Sequence, residues 1–191
     1  MSTLTHYFEL KAIPQAELTQ SMVISHLMQL LHHHLPAFDG TIGLGFPAYG
    51  QHGTLGGIIR VHGPQTQIGQ LAQALQQQSD CVDYALLSQP EAIPLNVTEH
   101  HCFQRVHSKG HSDFKRSQKR LMAQGKWSEE VAKNMAEKFS RTPNLPHAHL
   151  SSKSTGQANF MLYVKRVKLT QSGDGAFNAY GLSPQASVPA F

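Results

Sequence analysis

Three groups of side chains in this sequence are of the types that proton transfer and phosphate contact need. They are His32-His33-His34, the run Ser151-Ser152-Lys153-Ser154-Thr155-Gly156, and Tyr180. A histidine titrates near neutrality and can take a proton, and a serine hydroxyl can hold a sugar oxygen. Cleavage of RNA by its own 2′-hydroxyl calls for that pair: a base for the hydroxyl proton and a contact that holds the ribose in line. Alignment of attacking and leaving oxygens supplies much of the rate, and no metal is needed on this route. Each group also has an ordinary structural role. Histidines near the C-terminus of a helix sit well against its dipole, a serine-rich stretch can be a plain connection, and a strand tyrosine can be core. Consecutive histidines on a helix point three ways, so the triplet cannot close on one metal ion. His100-His101 and His147-x-His149 could add ligands, but no carboxylates stand at matching spacing. No metal and no cofactor is therefore expected.

A second constellation is basic. Lys115, Arg116, Lys119 and Arg120 fall within an arc of roughly 140° on a helix, with Phe114 and Leu121 almost opposite. One face is then free to bind while the other packs. Charge along the chain supports binding over a merely solvated face. Residues 1–97 carry two cations (Lys11, Arg60) against six acids, or −4, whereas residues 98–191 carry fourteen against six, or +8. Arg105, Lys109 and Lys126 flank the helix in sequence, and no acidic run of similar density balances them. Such a patch is the footprint of a polyanion. At the end of a short hairpin the RNA major groove opens enough for a row of Arg and Lys to enter, and arginine can also grip a guanine edge.

The elements that must position these groups read in a definite order. An alternating strand at His6–Ile13 precedes an amphipathic helix from about Ala16 to Leu35 that ends in the histidine triplet. Strands follow at Thr41–Phe46 and Thr54–His62, then a helix opened by Gly63-Pro64 with Ile68, Leu71 and Leu75, and a strand near Cys81–Leu87. The pattern predicts a ferredoxin-like βαββαβ domain over residues 1–95. Two prolines in Gln89-Pro90-Glu91-Ala92-Ile93-Pro94 block regular pairing and mark the boundary. Residues 96–191 then form a smaller α+β RNA-binding domain. It holds a strand near Cys102–His107, the basic helix at about 113–124, and a helix capped by Ser128 with Glu129 and Glu130 in its first turn. A loop rich in Pro, Ser and His comes next. Strands at Ala158–Leu169 and Gly175–Gly181, joined through Ser172-Gly173-Asp174-Gly175, form a closing hairpin that carries Tyr180. The fold class is α+β.

These motifs resemble a known family, the CRISPR repeat-processing endoribonuclease of type I-F systems, over nearly the whole chain. The resemblance is carried by Ser152-Lys153-Ser154-Thr155-Gly156-Gln157, by Ala179-Tyr180-Gly181-Leu182-Ser183 and by the ending Val188-Pro189-Ala190-Phe191. Arg105-Val106, Lys119-Arg120-Leu121-Met122, Ser128-Glu129-Glu130 and the spacing from Leu31-His32 to Gly45-Phe46-Pro47 match as well. The resemblance implies that His32 is the general base, that Ser152 holds the ribose of the attacking 2′-hydroxyl and that Tyr180 orders the site. It places the basic helix in the major groove of a repeat hairpin cut at its 3′ base, leaving a cyclic phosphate. It further implies Phe160 as the aromatic stacked on the terminal base pair. RNA contacts are expected from Arg105, His107, Lys109, Lys115, Arg116, Lys119, Arg120, Ser154 and Thr155. The partners implied are the CRISPR repeat RNA, as hairpin and guide RNA, and the other subunits of a type I-F surveillance complex, whether that complex degrades DNA or serves a transposon. Three departures stand out: Gln118, Ala123 and Gln124 replace expected cations, His107 stands where a glutamine often follows Arg105-Val106, and the chain is one residue longer just before Phe160.

Bulk composition agrees with an internal, water-soluble protein. The chain has 191 residues, 40% apolar, with only Cys81 and Cys102 as thiols and no CxxC pair. No run of about eighteen apolar residues exists to span a membrane, and Met1–Tyr7 lacks the features of an export signal. A cytoplasmic location is expected, with no membrane partner. Two other readings predict different behaviour: a catalytically inactive hairpin-binding subunit would be indifferent to loss of His32, and a metal-dependent hydrolase would stop in chelator.

Overall fold

A computed structural model describes residues 4–107, 111–140, 143–152 and 157–191, and their side chains except at 111–113, 137–140, 152 and 157–159. The elements are β1 (His6–Ala12), α1 (Gln20–His34), β2 (Gly43–Gly45), β3 (Ile58–Gly63), α2 (Gln65–Gln76), α3 (Ser79–Val82), β4 (Ala85–Leu87), β5 (Glu91–Ala92), β6 (Glu99–Val106), α4 (His111–Ala123), α5 (Glu129–Ser140), β7 (His147–Ser152), β8 (Gln157–Leu169) and β9 (Val188–Ala190). They form an α+β protein. One sheet has the order β2-β3-β1-β4 with β5 also on β1, and every pair is antiparallel. The second sheet has the order β7-β8-β6-β9.

Residues up to Arg105 together with Leu145–Phe191 make one compact unit, and Val106–Asn144 make another. In the first unit, Phe8 and Leu10 alternate inward from β1 and Ile59 and Val61 from β3, as the two-residue period of a half-buried strand requires. Helix α1 lays Val23, Ile24, Leu27, Met28 and Leu31 into the same core, a stripe at helical spacing. Leu150, Leu162, Val164 and Val188 from the second sheet join that cluster, so the two sheets share one apolar interior. In the second unit α4 packs on α5, with Phe114 edge-on to Trp127 at 6.5 Å. Ser128 caps α5 by accepting the Val131 N–H at 3.2 Å, and Glu129 and Glu130 fill its first turn.

Several elements depart from the sequence expectation for identifiable reasons. Helix α1 begins at Gln20 because Thr19 caps it, its hydroxyl accepting the Met22 N–H. Cys81 lies in the short helix α3, whose N–H groups turn back onto the Gln78 carbonyl, and only Ala85–Leu87 pairs as strand. Between the prolines of the 89–94 stretch, Glu91–Ala92 still pairs with His6 and Tyr7, because neither proline sits in the paired positions. The histidine- and serine-rich stretch expected as loop contains β7. The expected closing hairpin is absent: Gly175–Gly181 is not a strand, and β9 at Val188–Ala190 pairs with β6 instead. Asn178 overrides the ladder there. Its side-chain oxygen takes the N–H groups of Tyr180 (2.8 Å) and Leu182 (3.2 Å), which curls the chain into a turn.

Candidate active site

The last turn of α1 sends its three histidines in three directions. His34 accepts from the Gln78 amide at 2.9 Å, and His33 is exposed beside Gln29 at 3.4 Å. His32 points to the 178–182 turn, where its Nδ1 lies 2.8 Å from the Ala179 carbonyl oxygen. A carbonyl only accepts, so Nδ1 carries the hydrogen and Nε2 of the neutral ring keeps its lone pair. The same ring stacks on Tyr180, centroids 4.2 Å apart and planes 14° apart.

The turn that presents Ala179 and Tyr180 is held in two ways. Asn178 bonds it internally, and the Gly181 carbonyl accepts the Leu44 N–H at 2.8 Å. Gly181 has φ +68°, and a Cβ there would meet Leu44 Cγ at 2.4 Å. Only glycine meets both conditions without displacement. Around the ring pair stand two more of the expected residues. Phe160 meets Tyr180 edge-on at 6.2 Å, and the Arg105 guanidinium lies 5.1 Å from the Tyr180 ring centre and 5.6 Å from that of Phe160. His32, Tyr180, Phe160 and Arg105, far apart in sequence, thus share one site.

Ser152 reaches the neighbourhood through its backbone, as the last residue of β7. The residue before it is tied to α1: the Ser151 N–H donates to Gln29 Oε1 at 2.8 Å, one helical turn before His32. The register between β7 and β8 pairs Leu150 with Phe160 but Ser152 with Gln157, so β8 carries one extra residue there. That slip leaves Phe160 paired with Leu150 in the ladder. Lys109, Ser154 and Thr155 lie outside the described residues, as does the Ser152 side chain. On α4, Lys115, Arg116, Lys119 and Arg120 are exposed while Phe114 and Leu121 are half-buried, which is the division of faces the spacing predicts; His107 is exposed.

A model of the family described as CRISPR-associated protein (Cas_Csy4) matches residues 7–191. The chain belongs to that family. It is 31% identical over 192 aligned positions to the CRISPR-associated endonuclease Cas6/Csy4 of Pseudomonas aeruginosa (strain UCBPP-PA14), with 98% of this chain and all of that protein covered. It is 29% identical, again over 98% of this chain and the whole of the relative, to the CRISPR-associated endonuclease Cas6/Csy4 of Escherichia coli (strain UTI89 / UPEC). Membership fits the type I-F resemblance read from the 152–157 and 179–183 motifs.

Two features of the site had no signature in side-chain chemistry. The Ala179 carbonyl that orients His32 is backbone, although Asn178 and Gly181 around it are turn-forming types that could have flagged it. Gln29 is of a type common on helix surfaces, and its residue type alone carries no sign of a part in the site.

The other histidines behave differently. His101 Nε2 bonds Glu99 at 2.6 Å, and Lys168 bonds the same carboxylate at 2.9 Å. Those two partners hold Glu99 down to about 2, whereas burial lowers His101. His62 is wholly buried and pushed down to about 3, first by burial and then by the nearby Arg60 charge. His62, Arg60 and His101 line a cavity of about 270 Å³ with Phe46, Phe103 and Phe191. His147 and His149 lie 5.1 Å apart, and no three His, Cys, Asp or Glu side chains among the described residues gather as a metal cage would. Among the described residues no helix is long and apolar enough to cross a membrane.

Proposed function

We propose that this protein is an endoribonuclease that cuts CRISPR repeat RNA at the 3′ base of its hairpin and then stays on the hairpin as a subunit of a type I-F surveillance complex. The observation that carries the reading is His32, stacked on Tyr180 with Nδ1 committed to the Ala179 carbonyl, so that Nε2 is left as the ring's basic atom. In the reaction His32 Nε2 takes the 2′-hydroxyl proton while Ser152 holds that ribose. The 2′-oxygen bonds to the adjacent phosphorus as the bond to the 5′-oxygen breaks. The leaving oxygen takes a proton from water, and the upstream product ends in a 2′,3′-cyclic phosphate. No metal ion enters these steps. Tyr180 keeps the imidazole plane fixed, and Phe160 stacks on the terminal base pair, a contact worth roughly 1–3 kcal/mol that sets the register of the cut.

Binding and cutting act on the same RNA hairpin in this reading. Arg105, His107, Lys109, Ser154 and Thr155 contact the RNA near the cut. Lys115, Arg116, Lys119 and Arg120, all exposed on α4, enter the opened major groove of the hairpin and make phosphate and base contacts. The β-α-β-β-α-β order and the β2-β3-β1-β4 antiparallel sheet support a ferredoxin-like first domain, with the RNA-binding elements drawn from residues 96–191. The names of the aligned relatives support endonuclease activity.

The test is a short repeat hairpin incubated in EDTA with the wild-type protein or His32→Ala, beside a substrate carrying one 2′-deoxy sugar at the cut. Cleavage by wild type alone, on the all-ribose RNA alone, is expected, with both RNAs still bound by both proteins. Tight binding with no cleavage by wild type would make the protein a hairpin-binding subunit only. Activity restored by divalent metal would overturn the proposed chemistry.

A further inference from the structure

Strand β7 is an edge strand, since the second sheet runs β7-β8-β6-β9, and an edge presents N–H groups with no strand to take them. Helix α1 supplies the acceptors. The His149 N–H donates to Ser25 Oγ at 3.0 Å and the Ser151 N–H to Gln29 Oε1 at 2.8 Å. The two rungs are four residues apart on the helix and two apart on the strand. Four helical residues rise about 6.0 Å and two strand residues about 6.6 Å, so helix and strand keep step over this length. The Ser25 rung is deep, its hydroxyl also donating to the Ser21 carbonyl at 2.8 Å. The Gln29 rung is the one next to the site: one turn on lies His32, and one residue on along β7 lies Ser152. Ser151 adds its own hydroxyl to Gln29 Oε1 at 3.3 Å, and the opposing β8 register slips at this level, so the β7–β8 ladder alone does not hold the strand end in step.

We propose that Gln29 is a positioning residue for the cleavage reaction, one that fixes Ser152 relative to His32 by holding the Ser151 amide against the final turns of α1. This rests on the reading that His32 and Ser152 act on the RNA. Gln29 touches neither reacting atom. Its contribution is the distance between the base and the residue that holds the ribose, and in-line attack is sensitive to small displacements of that kind.

The experiment compares Gln29→Leu, which keeps the bulk but cannot accept, Gln29→Glu, which keeps an acceptor oxygen, and Ser25→Ala, which removes the deep rung away from the site. Each full-length variant is measured for hairpin Kd, single-turnover cleavage rate at saturating protein, and Tm. Gln29→Leu is expected to cleave about 10- to 100-fold more slowly while its Kd changes by less than about twofold, and Gln29→Glu to recover to within about threefold of wild type. Ser25→Ala is expected to cleave at the wild-type rate whatever its Tm. The idea is overturned by a wild-type rate for Gln29→Leu, by a rate that falls only in step with Kd, or by equal slowing in Ser25→Ala at equal loss of Tm. His32→Ala and Ser152→Ala run alongside. If those two cleave normally the underlying reading fails, whereas if they are inactive and Gln29→Leu is not slowed, the positioning role alone fails.

Discussion

The imidazole of His32 lies almost parallel to the phenol ring of Tyr180, 4.2 Å from centre to centre, while its Nδ1 is bonded to the carbonyl of the residue just before that tyrosine. One short turn therefore fixes both the plane of the ring and the nitrogen that carries its hydrogen. Aromatic contacts of this sort contribute about 0.5–1.5 kcal/mol beyond burial, and a tenfold rate change corresponds to about 1.4 kcal/mol. Tyr180→Ala is expected to slow single-turnover cleavage roughly tenfold or more, whereas Tyr180→Phe, which keeps the stacked face, should stay within about threefold of wild type. Equal loss in both variants would assign the phenol hydroxyl, not the stack, as the group that matters.

The turn itself depends on Gly181. An alanine there would hold a left-handed φ at a cost of about 1–2 kcal/mol and would press on Leu44 Cγ, adding about 1–3 kcal/mol. Gly181→Ala is expected to lower the urea midpoint and to slow cleavage in the protein that remains folded, because relief of the clash moves Tyr180 and the Ala179 carbonyl together. A folded variant with unchanged cleavage would separate the turn from the site.

Much of this arrangement was legible in the residue order, and what was not has a common cause. The periodicity of His6–Ile13, the stripe of α1 and the cation spacing of α4 are local patterns, and each appears where local pattern places it. The 175–181 segment is a turn and not a strand because the Asn178 side chain bonds the Tyr180 and Leu182 N–H groups and the Gly181 carbonyl accepts the Leu44 N–H, which strand propensity does not register. β7 was hidden because its apolar content is slight and its outward N–H groups are met by helix side chains. His32, Tyr180, Phe160 and Arg105 could each be singled out from type and motif. That they meet follows from tertiary contacts among distant segments, to which spacing gives no access.

On α4, Arg120 is exposed on the face that carries Lys115, Arg116 and Lys119. Arg120→Ala is expected to weaken hairpin binding and to reduce the slope of log K against log salt by about one, the share of a single phosphate contact. A titration of Kd across salt concentrations measures it. If Arg120 holds a guanine edge instead, the loss should be about 1–3 kcal/mol on the cognate hairpin and absent on scrambled duplexes. An unchanged titration on both RNAs would remove this side chain from the interface.

His62 gives the protein a stability term that depends on pH. Both ring nitrogens are buried without a hydrogen-bond partner, and burial, aided by Arg60, lowers the folded value to about 3 from 6.5. Between those values the unfolded chain binds a proton at this residue that the folded chain refuses, so stability falls as pH falls through that window. The slope approaches about 1.4 kcal/mol per pH unit for one proton, and roughly 2 kcal/mol would be lost between neutrality and pH 5. His62→Leu removes the group and should flatten this part of the profile, whatever it does to stability at pH 7.5. Urea unfolding of both proteins at pH 7.5 and 5.0 isolates the effect from the other histidines, because only the difference between the two profiles belongs to residue 62. Parallel profiles would mean that the folded protein admits a proton to this ring, and the buried, neutral state assigned to it would have to be abandoned.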